Sequence, residues 1–589
     1  MSMVEELLLN GARAVVRRPD AAESTVALPG RLAMLGGVEV ACDPTPEGWG
    51  WSVRNPGTEA VELDAVAIDV ELGPAGDDVT VFCHGYQSWL PSRGQRLGVD
   101  RDATNEPDST EYVRPSFYAD PGVAPEGWLR SEQTVVVDLG LGEPLVQLGF
   151  LGGTTHEGTF WLYREGDTVR LRAEAWLGGA QLPAGSTRAL HPVAATRGTD
   201  AHRLLADWAD RVGAAEEART EGSYLVGWCS WYHYFEQVTE DDVAANLAAA
   251  VGGGWPFDVF QVDDGFQAHI GDWLSTNDTF PSGLEPLATS IADAGFTPGI
   301  WIAPFLAHPE SQLARDHPDW VPRHADGNPL VGMYNPIWDG MVWQLDVTMP
   351  EVLGHLESVA AELVRLGFTY LKLDFTFSST FRGAYADPTK TPAERVRMGY
   401  EAIRRGAGDD AYILGCGAPL ASTVGLVDAM RIGSDVAPYW LPREPEPGTE
   451  YQAPSVRNAY INTLSRTWQH RRLWQNDPDC LMLRHSETDL SDVEIATWSA
   501  AVAVSGGLAL VSDDLALLGE RERVLLDRVI EVGRAADAAS LGPDEPRCDD
   551  LMRPGGPTML SGGAASMVAD PERPEPTFGG GAAGFDADS

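Results

Sequence analysis

Hydrophobic and polar residues alternate with a period of two in the first third of the chain. Runs rich in β-branched and apolar residues recur there, separated by turn residues, at 61–72, 79–82, 134–139, 145–151 and 159–176. Such alternation is typical of strands that bury one face. We therefore predict that residues 1–205 form an N-terminal antiparallel β-sandwich.

Near residue 222 the pattern changes, and short apolar runs begin to alternate with helical stretches. Eight of these runs predict strands, at 224–231, 257–264, 297–304, 369–375, 411–416, 429–434, 472–476 and 508–512. Strands that alternate with helices favour a parallel sheet, and eight such units over about 300 residues fit a (β/α)8 TIM barrel. We assign residues 206–520 to this barrel.

Capping signals indicate where several of the helices begin and end. The segment 239–242, TEDD, resembles a capping box that opens a helix, and Gly367 follows a helical stretch at 349–366. Two further stretches, 394–405 and 491–505, have the same character. Beyond Gly519 we expect one more helix and a small β region within 521–570. The tail, 571–589, is rich in Gly, Ala, Pro and Asp, which predicts disorder.

The charge of the chain excludes some classes of partner. There are 87 acidic and 42 basic residues, a net charge of −45, and only two of the basic residues are lysines, Lys372 and Lys390. Phosphates would be repelled, so we expect neither nucleic acid nor an anionic membrane as a partner. Strong screening would relieve the self-repulsion, and the scarcity of lysine therefore favours adaptation to concentrated salt over an ordinary acidic protein.

The cysteines and the chain's start bear on its location. The six cysteines are scattered without a C-x-x-C pair, and residues 1–15 have acids at Glu5 and Glu6 rather than the features of a signal peptide. No run approaches the length of a membrane-spanning helix. These features predict a cytoplasmic protein without a structural zinc site, and they leave open whether it forms a homo-oligomer.

Chemically active side chains fall at the ends of the predicted barrel strands. In such barrels the active site lies at the C-terminal ends of the strands. A single Asp at a strand end is unremarkable, since Asp often caps the next helix. The convergence of many such groups on one rim is harder to explain by capping. The groups are Trp231, Asp263, Asp264, Trp301, Lys372, Asp374, Cys416, Arg431, Asp435, Asp513 and Asp514.

Two of these carboxyl groups suit glycoside hydrolysis, which needs an ionised nucleophile and an acid that holds its proton. Asp374 follows Lys372 by two residues, so on a strand both point to the same face, and a nearby cation favours an ionised carboxylate. Asp435 lies between Ile432 and Val436, where burial would raise its pKa.

The adjacent pair Asp263 and Asp264 allows two interpretations. The carboxylates could hold sugar hydroxyl groups, or they could bind a divalent metal ion. A metal site would need histidines or further acids at ligand spacing, and the nearest histidines, His269 and His308, form no recognisable pattern. We therefore favour the sugar interpretation and expect no cofactor.

Several segments of the barrel region, in order, resemble glycoside hydrolase family 36, the microbial α-galactosidases, and especially its shorter bacterial members. They are GWCSWYHYFE at 227–236, FDVFQVDDGF at 257–266, IGDWL at 270–274, GIWIAPF at 299–305, HPDWV at 317–321, YLKLDFT at 370–376, LGCGAPL at 414–420, VDAMRIGSDVAPY at 427–439 and LWQNDPDCL at 473–481. The segment GYQSWL at 85–90 is also similar to the family's.

The resemblance implies a β-sandwich, a TIM barrel and a small C-terminal β-domain, with retaining hydrolysis of terminal α-galactosyl groups. It implies Asp374 as nucleophile and Asp435 as acid/base. It implies a galactose pocket formed by Trp231, Asp263, Asp264, Trp301, Lys372, Cys416 and Arg431, with Trp89 reaching in from the sandwich. The chain departs from many relatives at Leu373, where an aromatic residue is usual, and in its short, glycine-rich C-terminal region.

Other activities stay open at this point. The family also contains α-N-acetylgalactosaminidases and proteins that transfer galactosyl groups, although Cys416 should occupy the space that a 2-acetamido group needs. A non-catalytic sugar-binding barrel would usually have lost one of the two carboxylates, and both are present. A metal-dependent hydrolase that uses Asp263 and Asp264 is the third alternative.

Overall fold

The computed structural model describes residues 7–8, 11–19, 22–28, 31–102, 122–445 and 450–585. In chain order, the first fourteen strands are β1 (Arg13–Arg17), β2 (Ser24–Ala27), β3 (Leu32–Leu35), β4 (Val38–Thr45), β5 (Gly48–Arg54), β6 (Val61–Pro74), β7 (Thr80–Cys83), β8 (Arg93–Arg96), β9 (Leu129–Glu132), β10 (Thr134–Asp138), β11 (Leu145–Phe150), β12 (Glu157–Glu165), β13 (Thr168–Leu182) and β14 (Thr187–Gly198).

These strands form two antiparallel sheets, as the period-two pattern predicts. One sheet has six strands in the order β2-β1-β6-β13-β12-β9, and the other has eight in the order β3-β4-β5-β14-β11-β10-β7-β8. The β-rich run at 159–176 covers parts of two strands, because the chain turns at Gly166, whose φ is 63°, and β12 and β13 pair as a hairpin. A residue with positive φ reverses the chain most easily when it is glycine.

Strand β10 shows how the sandwich joins the rest of the molecule. Val135 and Val137 lie in the core between the two sheets, whereas Val136 points the other way, into the core of the barrel region. There it is joined by Leu205 and Trp208 of helix α1 (Ala201–Ala215). Because side chains alternate between the faces of a strand, one buried strand serves two cores.

The barrel contains the eight predicted parallel strands. They are β15 (Val226–Cys229), β16 (Val259–Val262), β17 (Thr297–Ile302), β21 (Tyr370–Leu373), β22 (Tyr412–Gly415), β23 (Ala429–Arg431), β24 (Gln475–Asp477) and β25 (Ala509–Val511). Their order is β24-β23-β22-β21-β17-β16-β15-β25. The main-chain N–H of Leu508 donates to the carbonyl of Asn476 at 2.9 Å, so the two end strands nearly close the barrel.

Helices connect the strands on the outside. After α1 they are α2 (Trp231–Tyr234), α3 (Glu240–Gly253), α4 (Leu284–Asp293), α5 (Gln312–Asp316), α6 (Pro350–Leu366), α7 (Pro392–Ala407), α8 (Leu420–Thr423), α9 (Val456–Ser465), α10 (Asp492–Ser505) and α11 (Glu520–Ala539). The expected capping box of α3 is formed by Thr239 and Asp242, and Gly367 ends α6 in the left-handed conformation. Helix α11 packs beside α10, so the barrel's last helix extends past residue 520.

Between β17 and α6 the chain forms a small three-stranded antiparallel sheet from β18 (Leu306–Ala307), β19 (Val331–Asn335) and β20 (Gly340–Gln344). A short 3-10 helix, Pro336–Trp338, connects β19 to β20. This hairpin is an insertion into the barrel, and one of its side chains enters the site described below.

The C-terminal segment differs from its expected disorder over residues 571–585. Strands β26 (Met559–Gly562), β27 (Ala565–Asp570) and β28 (Arg573–Gly580) form an antiparallel sheet, followed by the 3-10 helix Gly581–Phe585. The indole N–H of Trp440 donates to the carbonyl of Pro571 at 2.7 Å. Phe578 also packs against the main core, so tertiary contacts overcome a composition that favours disorder. Residues 586–589 lie outside the described residues.

Candidate active site

The predicted site residues lie at or just beyond the C-terminal ends of the barrel strands, apart from Trp89, which comes from the sandwich. They are Trp89, Trp231, Asp263, Asp264, Trp301, Lys372, Asp374, Cys416, Arg431 and Asp435. Direct contacts join several of them in pairs.

Asp374 comes directly after β21, and hydrogen-bond donors hold both of its carboxylate oxygens. The indole N–H of Trp301 donates to Oδ2 at 3.2 Å, and the main-chain N–H of Phe375 donates to Oδ1 at 2.7 Å. Gly417 lies so close that a Cβ there would be 2.7 Å from Oδ1. These contacts fix the orientation of the Asp374 carboxylate.

Lys372, two residues earlier, makes its ion pair with Asp263 rather than with Asp374. Its ammonium nitrogen is 2.8 Å from Asp263 Oδ2, and the same oxygen accepts from Gln261 Nε2 at 2.6 Å. Burial lowers the pKa of Lys372, but Asp263 together with the nearby Cys416 and Cys229 outweighs this effect, so its pKa lies well above the ordinary value. Lys372 therefore stays charged inside the barrel, with its ammonium group fixed on Asp263.

Asp264 is held differently from its neighbour. Gln267 Nε2 donates to Oδ1 at 2.6 Å, and the indole N–H of Trp338, from the hairpin insertion, donates to Oδ2 at 2.7 Å. Burial raises the pKa of Asp264 to about 6, while these two hydrogen bonds oppose the rise. The pKa of Asp264 thus lies closer to neutral pH than that of an ordinary carboxyl group.

Asp435 lies in the loop after β23, four residues beyond Arg431. Arg431 Nη1 is 3.0 Å from its Oδ1, yet 29% of the Asp435 side chain remains accessible to solvent, whereas Arg431 is almost fully buried. Its deep position in the barrel raises the pKa of Asp435; Arg431 opposes this rise, and the negative charge of Asp374 adds to it. Asp435 therefore tends to hold a proton where an ordinary carboxyl would not.

Arg431 has two further carboxylate partners that sequence reasoning missed. Its Nη2 is 2.7 Å from Asp479 Oδ1, and its Nε is 3.5 Å from Asp477 Oδ2. Both aspartates belong to or follow β24, within the segment LWQNDPDCL at 473–481. The signal was present in that segment, but nothing in a linear sequence shows that this strand end faces Arg431.

The remaining predicted residues surround this charged centre. Cys416 is buried after β22, and burial together with the nearby Asp374 raises the pKa of its thiol well above the ordinary value, so it stays neutral. Trp89 packs edge-on against Phe375, with ring centroids 5.6 Å apart. Trp231 follows β15, and its ring packs against Phe235. The described residues give Trp231 no direct contact with the carboxylates.

Arg466 explains how Trp89 reaches the barrel from another domain. This buried guanidinium donates to the main-chain carbonyls of Ser88, at 3.0 Å, and Leu90, at 2.8 Å, on either side of Trp89. Asn462 adds a further bond to the carbonyl of Ser88. The sandwich loop is therefore fixed to the barrel by side chains that follow or lie in α9.

Trp338 is the second residue that sequence reasoning missed. It lies in the hairpin insertion rather than at a strand end, and its ring also packs edge-on against Phe375, with centroids 5.2 Å apart. The expectation that site residues lie at strand ends could not locate Trp338, because this residue belongs to a segment of more than thirty residues inserted between β17 and α6. Trp301 and Trp338 together give the pocket two indole rings beside the carboxylates.

The metal interpretation of Asp263 and Asp264 finds little support in these contacts. Lys372 already supplies the cation beside Asp263, and both oxygens of Asp264 accept hydrogen bonds. Over the part of the chain that the structure describes, no three His, Cys, Asp or Glu side chains are grouped as a metal ion would need. His269 and His308 stack on each other, with ring centroids 5.4 Å apart.

Asp513 and Asp514, at the end of β25, belong to a different arrangement. Asp513 is fully buried and pairs with Arg484 at 2.6 Å, while Asp514 caps a short 3-10 helix by accepting from the N–H of Ala516. At this strand end the two aspartates therefore have structural contacts, one in an ion pair and the other as a helix cap.

Fold and site together define the class: a multidomain barrel protein whose strand ends form a pocket of carboxylates, two buried cations and indole rings. Carboxylates and cations of this kind bind hydroxyl groups, and indole faces pack against sugar rings. Within the described residues, no helix has the length and apolar character needed to cross a bilayer.

Part of the sequence is similar to known melibiases and α-galactosidases. The sequence profile of the melibiase family matches residues 225–396, which include Asp374 but end before Asp435. The α-galactosidase AgaA of Geobacillus stearothermophilus is 26% identical over 181 residues, 28% of this chain and 22% of the relative. An Escherichia coli α-galactosidase is 29% identical over 119 residues, 19% of this chain and 15% of the relative. The sequence matches thus span about a fifth of these curated relatives.

Solved structures match over much more of the chain. An α-galactosidase from Thermus thermophilus, solved with stachyose, is 27% identical with a TM-score of 0.66, and the match covers 85% of this chain and 98% of that one. A crystal structure of the Geobacillus stearothermophilus α-galactosidase AgaA, from glycoside hydrolase family 36, matches with a TM-score of 0.58 and 14% identity, over 95% of this chain and 76% of that one. The second likeness concerns the fold alone.

Proposed function

We propose that this chain is a retaining α-galactosidase that hydrolyses terminal, non-reducing α-D-galactosyl residues of galactosides such as melibiose or raffinose-type oligosaccharides. One observation carries the proposal: two carboxyl groups near each other have opposite environments. Both oxygens of Asp374 accept hydrogen bonds from fixed N–H donors, whereas burial raises the pKa of Asp435. A carboxylate and a carboxylic acid across one bond are what glycosidic double displacement requires.

In the first step Asp435 gives its proton to the glycosidic oxygen while Asp374 attacks the anomeric carbon. The bond from that carbon to the leaving oxygen breaks, and an ester between galactose and Asp374 forms. In the second step Asp435, now ionised, takes a proton from water, and the water oxygen displaces Asp374. Two inversions return galactose with the α configuration.

The sugar would be held by the groups around these carboxyls. The Asp263–Lys372 pair offers acceptors and a donor in fixed positions, and Asp264 offers a second carboxylate next to them. Galactose hydroxyls can donate to these carboxylates and accept from the ammonium group of Lys372. Trp301 and Trp338 supply ring faces or edges, while Trp89, Trp231, Cys416 and Arg431 complete the predicted pocket.

The relatives support this assignment. The Thermus thermophilus structures contain stachyose in one case and p-nitrophenyl α-D-galactopyranoside in the other, and they are 27% and 26% identical to this chain. An α-N-acetylgalactosaminidase is the second candidate, and the buried Cys416 thiol argues against it, since the 2-acetamido group would need that space. Transfer to a sugar acceptor, a non-catalytic sugar-binding barrel and metal-dependent hydrolysis are outcomes of the test below.

We further propose that the protein works in concentrated salt in the cytoplasm. The support is its net charge of −45 and its two lysines among 42 basic residues.

The experiment is a hydrolysis assay on p-nitrophenyl α-galactoside, the matching N-acetylgalactosaminide, melibiose and raffinose, with and without a strong chelator. Chelator-insensitive release from the galactosides alone supports the proposal. Preference for the N-acetyl substrate, dependence on a metal, or binding without turnover would each replace it with the corresponding alternative. Added sucrose as acceptor distinguishes transfer from hydrolysis by its product.

A further inference from the structure

Three carboxylates contact one buried guanidinium at the edge of the site. Arg431 approaches Asp435 at 3.0 Å, Asp479 at 2.7 Å and Asp477 at 3.5 Å. Asp435 keeps 29% of its side chain accessible, whereas Asp477 and Asp479 are almost fully buried. The single positive charge is therefore shared between the proposed acid/base residue and two aspartates that have no role in the mechanism so far.

Of these two aspartates, Asp479 is held by hydrogen bonds on both of its carboxylate oxygens. Its Oδ1 accepts from Arg431 and from the N–H of Cys480 at 2.7 Å, and its Oδ2 accepts from the Tyr232 hydroxyl and from the N–H of Val436 at 2.8 Å. Each oxygen thus accepts from two donors; burial raises the pKa of Asp479 to about 7, and Arg431 opposes this rise. Its φ of 90° places the residue in a region that side chains rarely occupy.

Two of these bonds lead directly to Asp435. The first passes through Arg431, which contacts both carboxylates. The second fixes the main chain, because the N–H that Asp479 accepts belongs to Val436, the residue immediately after Asp435. A change at Asp479 therefore alters both the charge that Asp435 meets and the position of its backbone.

We propose that Asp479 is a positioning residue for the acid/base carboxyl: it shares the charge of Arg431 with Asp435 and anchors the main chain beside Asp435. This inference rests on the proposed function, since it assigns Asp435 as the acid. Asp479 touches neither substrate nor reacting atoms in the proposed mechanism.

The expected sign follows from the charges that face Asp435. Burial raises the pKa of Asp435, Asp374 and Asp263 add to the rise, and Arg431 and Lys372 oppose it. Arg431 in turn faces Asp479, Tyr232, Cys416 and Asp477. Without the Asp479 charge, Arg431 acts more fully on Asp435, so ionised Asp435 is favoured and its pKa falls.

The test is the pH dependence of kcat/KM for Asp479→Asn. Asn keeps the shape and tolerates a positive φ. The acid must be protonated for the first step, so activity is lost as pH rises through its pKa, and this alkaline limb should move to lower pH by about one unit or more. Asp513→Asn is the matched control, because Asp513 is also buried, paired with an arginine and bonded to a main-chain N–H, but Arg431 is not its partner.

Asp477→Asn gives a second, independent reading, because Asp477 is the more distant carboxylate on Arg431. We expect its alkaline limb to move in the same direction by less, and that of Asp513→Asn to remain at the wild-type pH. If Asp479→Asn fails to fold, the inference is tested by comparing the alkaline limb of kcat/KM for Asp477→Asn with that for Asp513→Asn. Unmoved limbs in the folded variants, or equal shifts in all of them, would overturn the inference. An inactive wild-type enzyme would instead overturn the proposed function.

Discussion

Two strand ends of the same barrel carry aspartates that look alike in the sequence and differ in the structure. At the end of β25, Asp513 is fully buried, with Arg484 on one carboxylate oxygen and the N–H of Leu483 on the other. After β23, Asp435 also meets an arginine, but 29% of its side chain remains accessible and its arginine is shared. Position at the rim is common to both, so we infer that the proposed chemical role of Asp435 depends on its incomplete pairing and its access to solvent.

The largest effect is expected at Asp374, the proposed nucleophile. Asp374→Ala removes the proposed nucleophile, so we expect turnover to fall by roughly 10⁴-fold or more, equivalent to about 5.5 kcal/mol in the transition state. Added azide or formate should restore part of the activity and give a β-configured product. Kinetics on p-nitrophenyl α-galactoside with product analysis by NMR measure both effects. Near wild-type activity in Asp374→Ala would remove it from the mechanism.

The control for that experiment is Asp513→Asn, at the other strand end. Breaking a buried ion pair costs about 3–5 kcal/mol of stability, so its unfolding midpoint should fall clearly. Its kcat per folded molecule should remain near that of the wild type, because Asp513 bonds within the scaffold. A loss of turnover with unchanged stability would mean that the two strand ends are not as different as their partners indicate.

The next prediction compares the two lysines of the chain. Lys372 is buried and bound to Asp263, whereas Lys390 lies half-buried in a loop before α7. A planar guanidinium cannot replace a compact ammonium there without displacing Asp263. We expect Lys372→Arg to lose at least about a hundredfold in kcat/KM, near 3 kcal/mol, and Lys390→Arg to be almost silent. Equal behaviour of the two variants would show that the scarcity of lysine carries no information about the site.

A smaller effect is expected at Trp338. Its indole N–H stabilises ionised Asp264, so Trp338→Phe should raise the pKa of Asp264 above about 6. If sugar binding needs the carboxylate, activity is lost as pH falls through that pKa, and the acid limb of kcat/KM should move to higher pH. We expect roughly a tenfold loss at pH 6. Trp440→Phe, which removes an indole donor to the main chain at Pro571, should leave the limb in place; a shift in both variants would contradict the assignment.

The smallest effect concerns the whole surface. A net charge of −45 repels itself unless screened, so the melting temperature should rise by a few degrees between low and molar salt. Thermal unfolding across a salt series, with a neutral osmolyte as control, measures it. A flat or falling melting temperature would refute adaptation to salt.

The sequence predicted the barrel well because each strand is a local signal. All eight predicted runs overlap a barrel strand, and Asp263, Asp374 and Asp435 follow such strands. The order of strands in the sandwich could not be read in this way, since β6 pairs with β1 and β13, far apart in the chain. The tail was also misjudged, because β28 owes its order to contacts with distant residues.

The site was predicted in part for the same reason. Strand ends can be located from local patterns, but Trp338 arrives on an inserted hairpin and Asp479 turns toward Arg431 through a positive φ. Lys372 was expected beside the nucleophile, and it pairs with Asp263 instead. Pairing among buried charges depends on three-dimensional distances, which a linear pattern does not contain.

Double displacement by Asp374 and Asp435 on an α-galactoside would retain the anomeric configuration. Proton NMR of wild-type hydrolysis, recorded before the released galactose mutarotates, distinguishes retention from inversion. We expect α-galactose to appear first and the β anomer to grow only with mutarotation. β-Galactose as the first product would mean a single displacement by water and would contradict the assignment of Asp374 as nucleophile.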